Sequence, residues 1–361
     1  MGQAVFAEMP ESVRLPFLAL SKYGLLSTNK FKAYITLAVL VLIQSNLILI
    51  AMLQFLNVNR DISDIVRNLE HILGFSMVMI RMVIVTYRNE DFRRLFETIK
   101  LFWDPCKCNQ QTKMKLLAIR RFTSQLQRLL VSAALVSVLV VVSFPLLQNT
   151  IPTGIWTMKG HAMLYRFVLI EEITVVPFCA FFLGFLDCIY LGFCVEIVIQ
   201  FKIVSQYLQE LKVENNAVNE VEIDRLNEIK SCVRHHRIIL QFIKEFQQAF
   251  SLVLLIEFVI DGPLVCAELL AAFESRSYQN QMRHVLIFTF VTFQLAFFCI
   301  PANYITNEAM AVSDAVYFSN WYSQQISSLK APLLLIIQNS QNEIIIKGGN
   351  LVTINAGTIV N

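Results

Sequence analysis

The chain has 361 residues, of which 56% are hydrophobic and only 16% are charged. Soluble domains carry roughly 25% charged residues, so composition excludes a soluble globular protein and calls for a polytopic membrane protein. The net charge of +3 is small, and no stretch interleaves basic and aromatic residues in the way that nucleic-acid binding requires.

Residues 1–32 hold Glu8, Pro10, Glu11, Arg14 and Pro16, with no small-residue cleavage site after a compact apolar run. They read as a cytoplasmic N-terminal segment, and the first spanning helix serves as the targeting signal. Six long apolar runs follow, at about 33–56, 66–87, 126–147, 167–201, 246–273 and 285–305. Each is long enough for a spanning helix. The fifth is interrupted by Asp261-Gly262-Pro263, and the sixth has Pro301 near its end. The connections at 88–125 and 202–245 are long, and the second carries charge of both signs at helical spacing. Helices are therefore expected to continue beyond the membrane there.

Residues 306–347 include an amphipathic pattern from Ala315 and Val316 through Trp321, Tyr322, Ile326 and Leu329, too polar to cross a bilayer. After Gly348-Gly349 the chain turns apolar again over 351–361. Eleven residues of helix span only about 17 Å, against a hydrocarbon core of about 30 Å. Residues 348–361 therefore read as the start of a seventh, incomplete helix.

Lysine and arginine set the orientation. Twenty lie in the N-terminal segment and the two long connections, and five lie on the opposite side, at Arg60, Lys159, Arg166, Arg276 and Arg283. The N-terminus is thus expected in the cytoplasm, with residues 306–347 on the same side. That topology is the reverse of a G-protein-coupled receptor.

No zincin, nucleophile-elbow, phosphate-loop or paired C-x-x-C motif is present, so the chain is not read as an enzyme and no cofactor is expected. The eight cysteines include a lone C-x-C at Cys106 and Cys108 and imply no disulfide framework. His235 and His236 are adjacent, so their rings cannot share a helix face and a metal site is not expected. Arg234, Arg237, Arg120 and Arg121 read as headgroup-facing bases.

Several stretches together resemble the insect odorant receptors. They are Ala315-Val316-Tyr317 with Trp321-Tyr322, then 338–341 and Gly348-Gly349-Asn350. Arg234-His235-His236-Arg237 and Phe298-Cys299-Ile300-Pro301-Ala302 extend the likeness along the chain. The resemblance implies an all-α, seven-transmembrane bundle in a sensory neuron's plasma membrane. It implies an odorant-gated, non-selective cation channel that assembles as a tetramer with a shared co-receptor. A gustatory receptor of the same architecture is the nearest alternative, and a secondary transporter is one from another class. No internal repeat supports the transporter.

The resemblance places a pocket for small, volatile, mostly apolar ligands in the outer half of the second to sixth helices. On the second, His71, Gly74, Phe75 and Val78 recur at three to four residues. The third offers Ser137, Val141 and Phe144, the fourth Pro177, Phe178 and Phe181, and the sixth Phe288, Val291 and Thr292. The same spacing also describes ordinary bundle packing. His71 and Ser137 are the expected polar handles, since one hydrogen bond in an apolar pocket can dominate ligand discrimination. The family's subunit anchor would use Tyr317, Trp321, Tyr322 and Gln338, and its pore-lining helix would begin with Leu351, Ile354 and Thr358. Ionisable residues inside a membrane face the bundle interior or water. Arg81, Asp187, Glu257 and Asp261 are the deep ones here, either as an acidic wall near a cation path or as partners for Arg81.

Overall fold

A computed structural model describes residues 9–27, 29–57, 62–148, 162–210, 219–319 and 327–359. Helix α1 (Glu11–Lys22) is followed by α2 (Lys30–Asn57), α3 (Ile62–Tyr87) and the short α4 (Asn89–Thr98). Then come α5 (Gln110–Gln148), α6 (Ala162–Gln209), α7 (Asn219–Glu274) and α8 (Tyr278–Phe318). The chain closes with α9 (Ser327–Gln341), a hairpin of β1 (Ile346–Gly348) and β2 (Val352–Ile354), and a 3-10 turn at Ala356–Ile359. Among the described residues six helices, α2, α3 and α5 to α8, are long and apolar enough to cross a membrane.

Local chemistry starts these helices where they start. The Asn29 side chain accepts from the amides of Phe31 (3.1 Å) and Lys32 (3.3 Å), capping α2. Asn109 does the same for α5 through the Thr112 amide at 2.9 Å. Between α4 and α5, Asp104 accepts from the Cys106 amide at 2.7 Å, and that bond holds its carboxyl below the usual carboxylate range.

The core is built from α6, α7 and α8, with α3 packed on α7, and with α2 against α3 and α5 against α6 at the periphery. Phe193, Phe242, Phe246 and Phe250 form a ladder of tilted and edge-on rings with Tyr190, all fully buried. The end of the bundle where α3 leads into α4 and α6 turns toward α7 is called the basic end below, after its Lys and Arg. There α1 lies against α6. Gly192 permits this approach, because a side chain would collide with the Ser12 carbonyl. Glu196 of α6 accepts from the Ser12 hydroxyl at 2.7 Å and binds Arg120 of α5 through both carboxylate oxygens, at 2.9 and 2.6 Å. Arg120 is therefore an internal ion-pair partner, not the headgroup contact expected from its place in a basic loop.

His235 and His236 are both buried. The His235 ring stacks on Trp103 with centroids 4.0 Å apart and bonds Gln200 at 2.8 Å. Among the described residues no cluster of His, Cys, Asp or Glu is arranged to hold a metal.

Two further sequence expectations are corrected. First, Asp261-Gly262-Pro263 does not interrupt the fifth apolar run, because α7 is continuous from Asn219 to Glu274. A proline removes one backbone donor, and neighbouring helices in a bundle make this tolerable. Likewise α8 runs unbroken across residue 305 and past Pro301 to Phe318.

Second, the apolar stretch after Gly349 opens as a strand (Val352–Ile354) instead of a helix, and a 3-10 turn follows only at Ala356–Ile359. Gly349 and Asn350 have φ of +57° and +59°, which closes the tight turn that matches the twist of a two-stranded hairpin. The β-branched residues on either side supply the strands, pairing Ile346 with Ile354 and Lys347 with Thr353. Ile346 and Ile354 are buried. The hairpin is held to α7 by the Gly349 amide on the Ser251 carbonyl (2.9 Å) and to α8 by the Thr306 hydroxyl on the Ile344 carbonyl (2.6 Å).

Candidate ligand site

The candidate site is the interior of the bundle between two polar layers. The inner layer centres on Arg81 of α3, which is fully buried. Its guanidinium donates to Asp187 of α6 at 3.2 Å and contacts Glu257 of α7. Gln294 of α8 donates to the other oxygen of Glu257 at 2.5 Å. The Phe298 ring lies 5.8 Å from the guanidinium, and the Phe298 carbonyl accepts from Tyr190 at 3.0 Å. Four helices thus meet on one cation. Of the two sequence readings of these deep groups, the geometry shows the pairing with Arg81. Asp261 lies one turn from Glu257, within electrostatic reach of Arg81 and Asp187.

The outer layer lies toward the opposite end. Arg283 of α8 contacts Glu70 of α3, while His284 bonds Glu268 of α7 at 2.7 Å and Ser63 at 2.8 Å. Glu70 and Arg81 are eleven residues apart on one helix, about 16 Å along the axis.

Between the layers there is room. A methyl group added at Gly74 of α3 or Gly184 of α6 would meet nothing within 4 Å. Gly74 shares the helix face of Glu70 and Arg81, and Gly184 that of Asp187. Asp187 retains 17% side-chain exposure although it pairs with the wholly enclosed Arg81.

The predicted lining residues divide. Gly74 and the half-buried His71 lie between the layers on α3, while Val78 belongs to the main core. On α8, Val291 is buried and Phe288 is half-buried; the enclosed Thr292 hydroxyl has no hydrogen-bond partner. Phe75 turns instead against Leu47, Ile48 and Ala51 of α2. Phe178 packs edge-on against Tyr23 at 4.8 Å, beside Pro177, and Phe181 stacks on Phe185 at 6.2 Å. Ser137 is not brought to the others. It is exposed, and its hydroxyl returns to the Ala133 carbonyl at 2.9 Å. The side chains of Val141 and Phe144 lie outside the described residues.

At the basic end, Tyr317 and Gln338 are exposed, as are Phe318, Leu334 and Leu335, while Trp321 and Tyr322 lie outside the described residues. The three residues expected to start a pore helix share no helix face. Leu351 is exposed in the hairpin turn, Ile354 is buried in β2, and Thr358 is tied to Thr353 and Asn355.

A second space was missed by the sequence reading. A cavity of about 130 Å³ lies between α2, α3 and α6, lined by Ile43, Gln44, Met82, Val175, Phe178 and Cys179. Its one signal in the sequence is Gln44, a polar residue inside the first apolar run.

Comparison with known proteins agrees with this architecture. The insect olfactory receptor OR5 from Machilis hrabei superimposes with a TM-score of 0.71 at 15% identity, covering 92% of this chain and 86% of that one. Its complex with eugenol gives 0.72 at 14% identity over the same shares. Odorant receptor 22b of Drosophila melanogaster is 25% identical over 159 residues, 44% of this chain and 39% of that protein. Odorant receptor Or2 of Anopheles gambiae is 28% identical over 125 residues, 34% of this chain and 32% of that protein. The matched stretches thus span well under half the length of these curated relatives. The sequence model of the 7tm Odorant receptor family matches residues 61–361. The chain is a multi-pass membrane protein that belongs to the seven-transmembrane odorant receptor family.

Proposed function

We propose that the chain is the odorant-tuning subunit of a non-selective cation channel and that it assembles with a co-receptor in the plasma membrane of a sensory neuron. The observation that carries the ligand-binding part is the room beside Gly74 and Gly184, roofed and floored by the two polar layers. A space of this kind suits a small, mostly apolar compound that makes one or two polar contacts. His71, Val291 and Thr292 are the proposed contacts. The solved Machilis receptor was captured with eugenol, a ligand of this chemical class.

The excess of Lys and Arg at the basic end supports a cytoplasmic N-terminus. The exposed Tyr317, Phe318, Leu334 and Leu335 give that end an apolar surface suited to subunit contacts. Ligand binding opens the channel to the extent that the open state binds the ligand better. Moving the population from 1:99 to 99:1 takes about 5.5 kcal/mol of differential affinity.

Gly74→Leu tests the assignment of the space. In cells expressing the chain with a co-receptor, bulky odorants should need at least about tenfold higher concentrations for half-maximal current, because the added side chain occupies the room. Unchanged concentration-response curves across an odorant panel would place the ligand elsewhere.

A further inference from the structure

The cavity between α2, α3 and α6 is lined by residues of those three helices alone. Gln44 lines it and is 1% exposed. The Gln44 amide nitrogen donates to the Phe75 carbonyl at 2.7 Å. That bond fixes which end of the amide is which, and it leaves the Oε1 acceptor enclosed with no hydrogen-bond partner. The remaining wall is almost wholly apolar or thiol. Thr174, exposed at the mouth, already donates its hydroxyl to the Ile170 carbonyl at 2.9 Å. A buried acceptor without a donor is costly. A water molecule there would need two to four polar partners, and this cavity offers one strong acceptor. A dry cavity near 150 Å³ accommodates benzene, so about 130 Å³ suits a ligand of six or seven heavy atoms. The exposed mouth on the flank of α2 and α6 faces the region where apolar compounds partition from lipid.

We propose that this cavity is a second binding site, for a small hydroxyl-bearing volatile such as a phenol or a short or cyclic alkanol, whose O–H donates to Gln44 Oε1. The site discriminates by donor: an ether, aldehyde or hydrocarbon of equal size leaves the acceptor unmet.

The test is binding to the detergent-purified chain, read as saturable thermal stabilisation, so it does not depend on channel gating. The matched probes are phenol against toluene and cyclohexanol against methylcyclohexane. The wild-type chain should bind each hydroxyl compound at least about tenfold more tightly than its partner. Gln44→Met should bring the pairs to parity. Val175→Phe, which fills the cavity and leaves Gln44 intact, should abolish binding of both members. Parity in the wild type, a preference that survives Gln44→Met, or binding unaffected by Val175→Phe would each overturn the proposal. If Gln44→Met does not fold, the wild-type ratio and Val175→Phe decide the question. A chain that binds phenol in this way but conducts no current would keep this site and refute the channel reading.

Discussion

Arg81 of α3 and Glu257 of α7 are both fully enclosed, and they contact one another at the point where α3, α6, α7 and α8 converge. Asp187 and Gln294 complete the arrangement. An isolated charge in such a place is prohibitively costly, whereas a paired and hydrogen-bonded set is tolerated. The arrangement therefore acts as a single unit that sets the relative positions of the helices around the proposed ligand space.

Removing the shared cation should be the most damaging change in that layer. Arg81→Met strands two carboxylates and should destabilise the chain by about 3–5 kcal/mol. Asp187→Asn keeps the Arg81–Glu257 contact and should cost less. Thermal unfolding of the purified variants, with surface expression as a second measure, checks the order. Equal losses for the two variants would show that the cation is not the shared element.

His71 and Ser137 should separate, although the sequence treats them alike. His71→Ala should change the relative responses across an odorant panel more than it changes surface expression, because His71 lies between the polar layers on α3. Ser137→Ala should leave the response profile unchanged, because its hydroxyl points outward and bonds within its own helix. The two concentration-response panels are the measurement, and a larger shift for Ser137→Ala would reverse the assignment.

The hairpin depends on its turn. Gly349→Ala places a side chain at φ +57° and against the Leu255 side chain, so it should cost about 1–2 kcal/mol or more. Asn350→Ala, at a similar φ without an identified clash, should cost about 1 kcal/mol. Protease susceptibility of residues 344–358 together with thermal unfolding would register both. Equal stability of Gly349→Ala and the wild type would contradict the turn.

Close approach of α1 to α6 should make Gly192→Ala more harmful than an ordinary surface substitution. The new methyl meets the Ser12 carbonyl, and backbone cannot yield as a flexible side chain does. A loss of about 1–3 kcal/mol is expected. Hydrogen exchange at α1 should rise first, because the damage is local.

Much of this architecture was readable from the chain. The six apolar runs became six long helices because length and hydropathy determine that outcome directly. The deep charges Arg81, Asp187, Glu257 and Asp261 stood out as a set because an ionisable group inside a membrane needs a partner or water, but spacing left pairing with Arg81 as one of two readings. The hairpin was misread because Leu351, Val352 and Ile354 look alike on a hydropathy scale whether strand or helix. The better signal was Gly349-Asn350 between two β-branched triplets. Pro263 suggested a break, since a proline's local effect is visible in sequence and the packing that compensates for it is not. Gln44 passed unnoticed because its partner, the Phe75 carbonyl, is a backbone atom on another helix. The outward turn of Ser137 depends on how α5 rotates against α6, which spacing within one helix does not determine.

The central claim is that this chain is a ligand-binding channel subunit. It is tested most directly by voltage-clamp recording from cells that express the chain, with and without a co-receptor, against a broad panel of volatile compounds. The account predicts odorant-dependent inward current with little cation selectivity when the co-receptor is present, reduced for bulky ligands by Gly74→Leu. Silence toward every compound, with surface expression of both subunits confirmed, would contradict it.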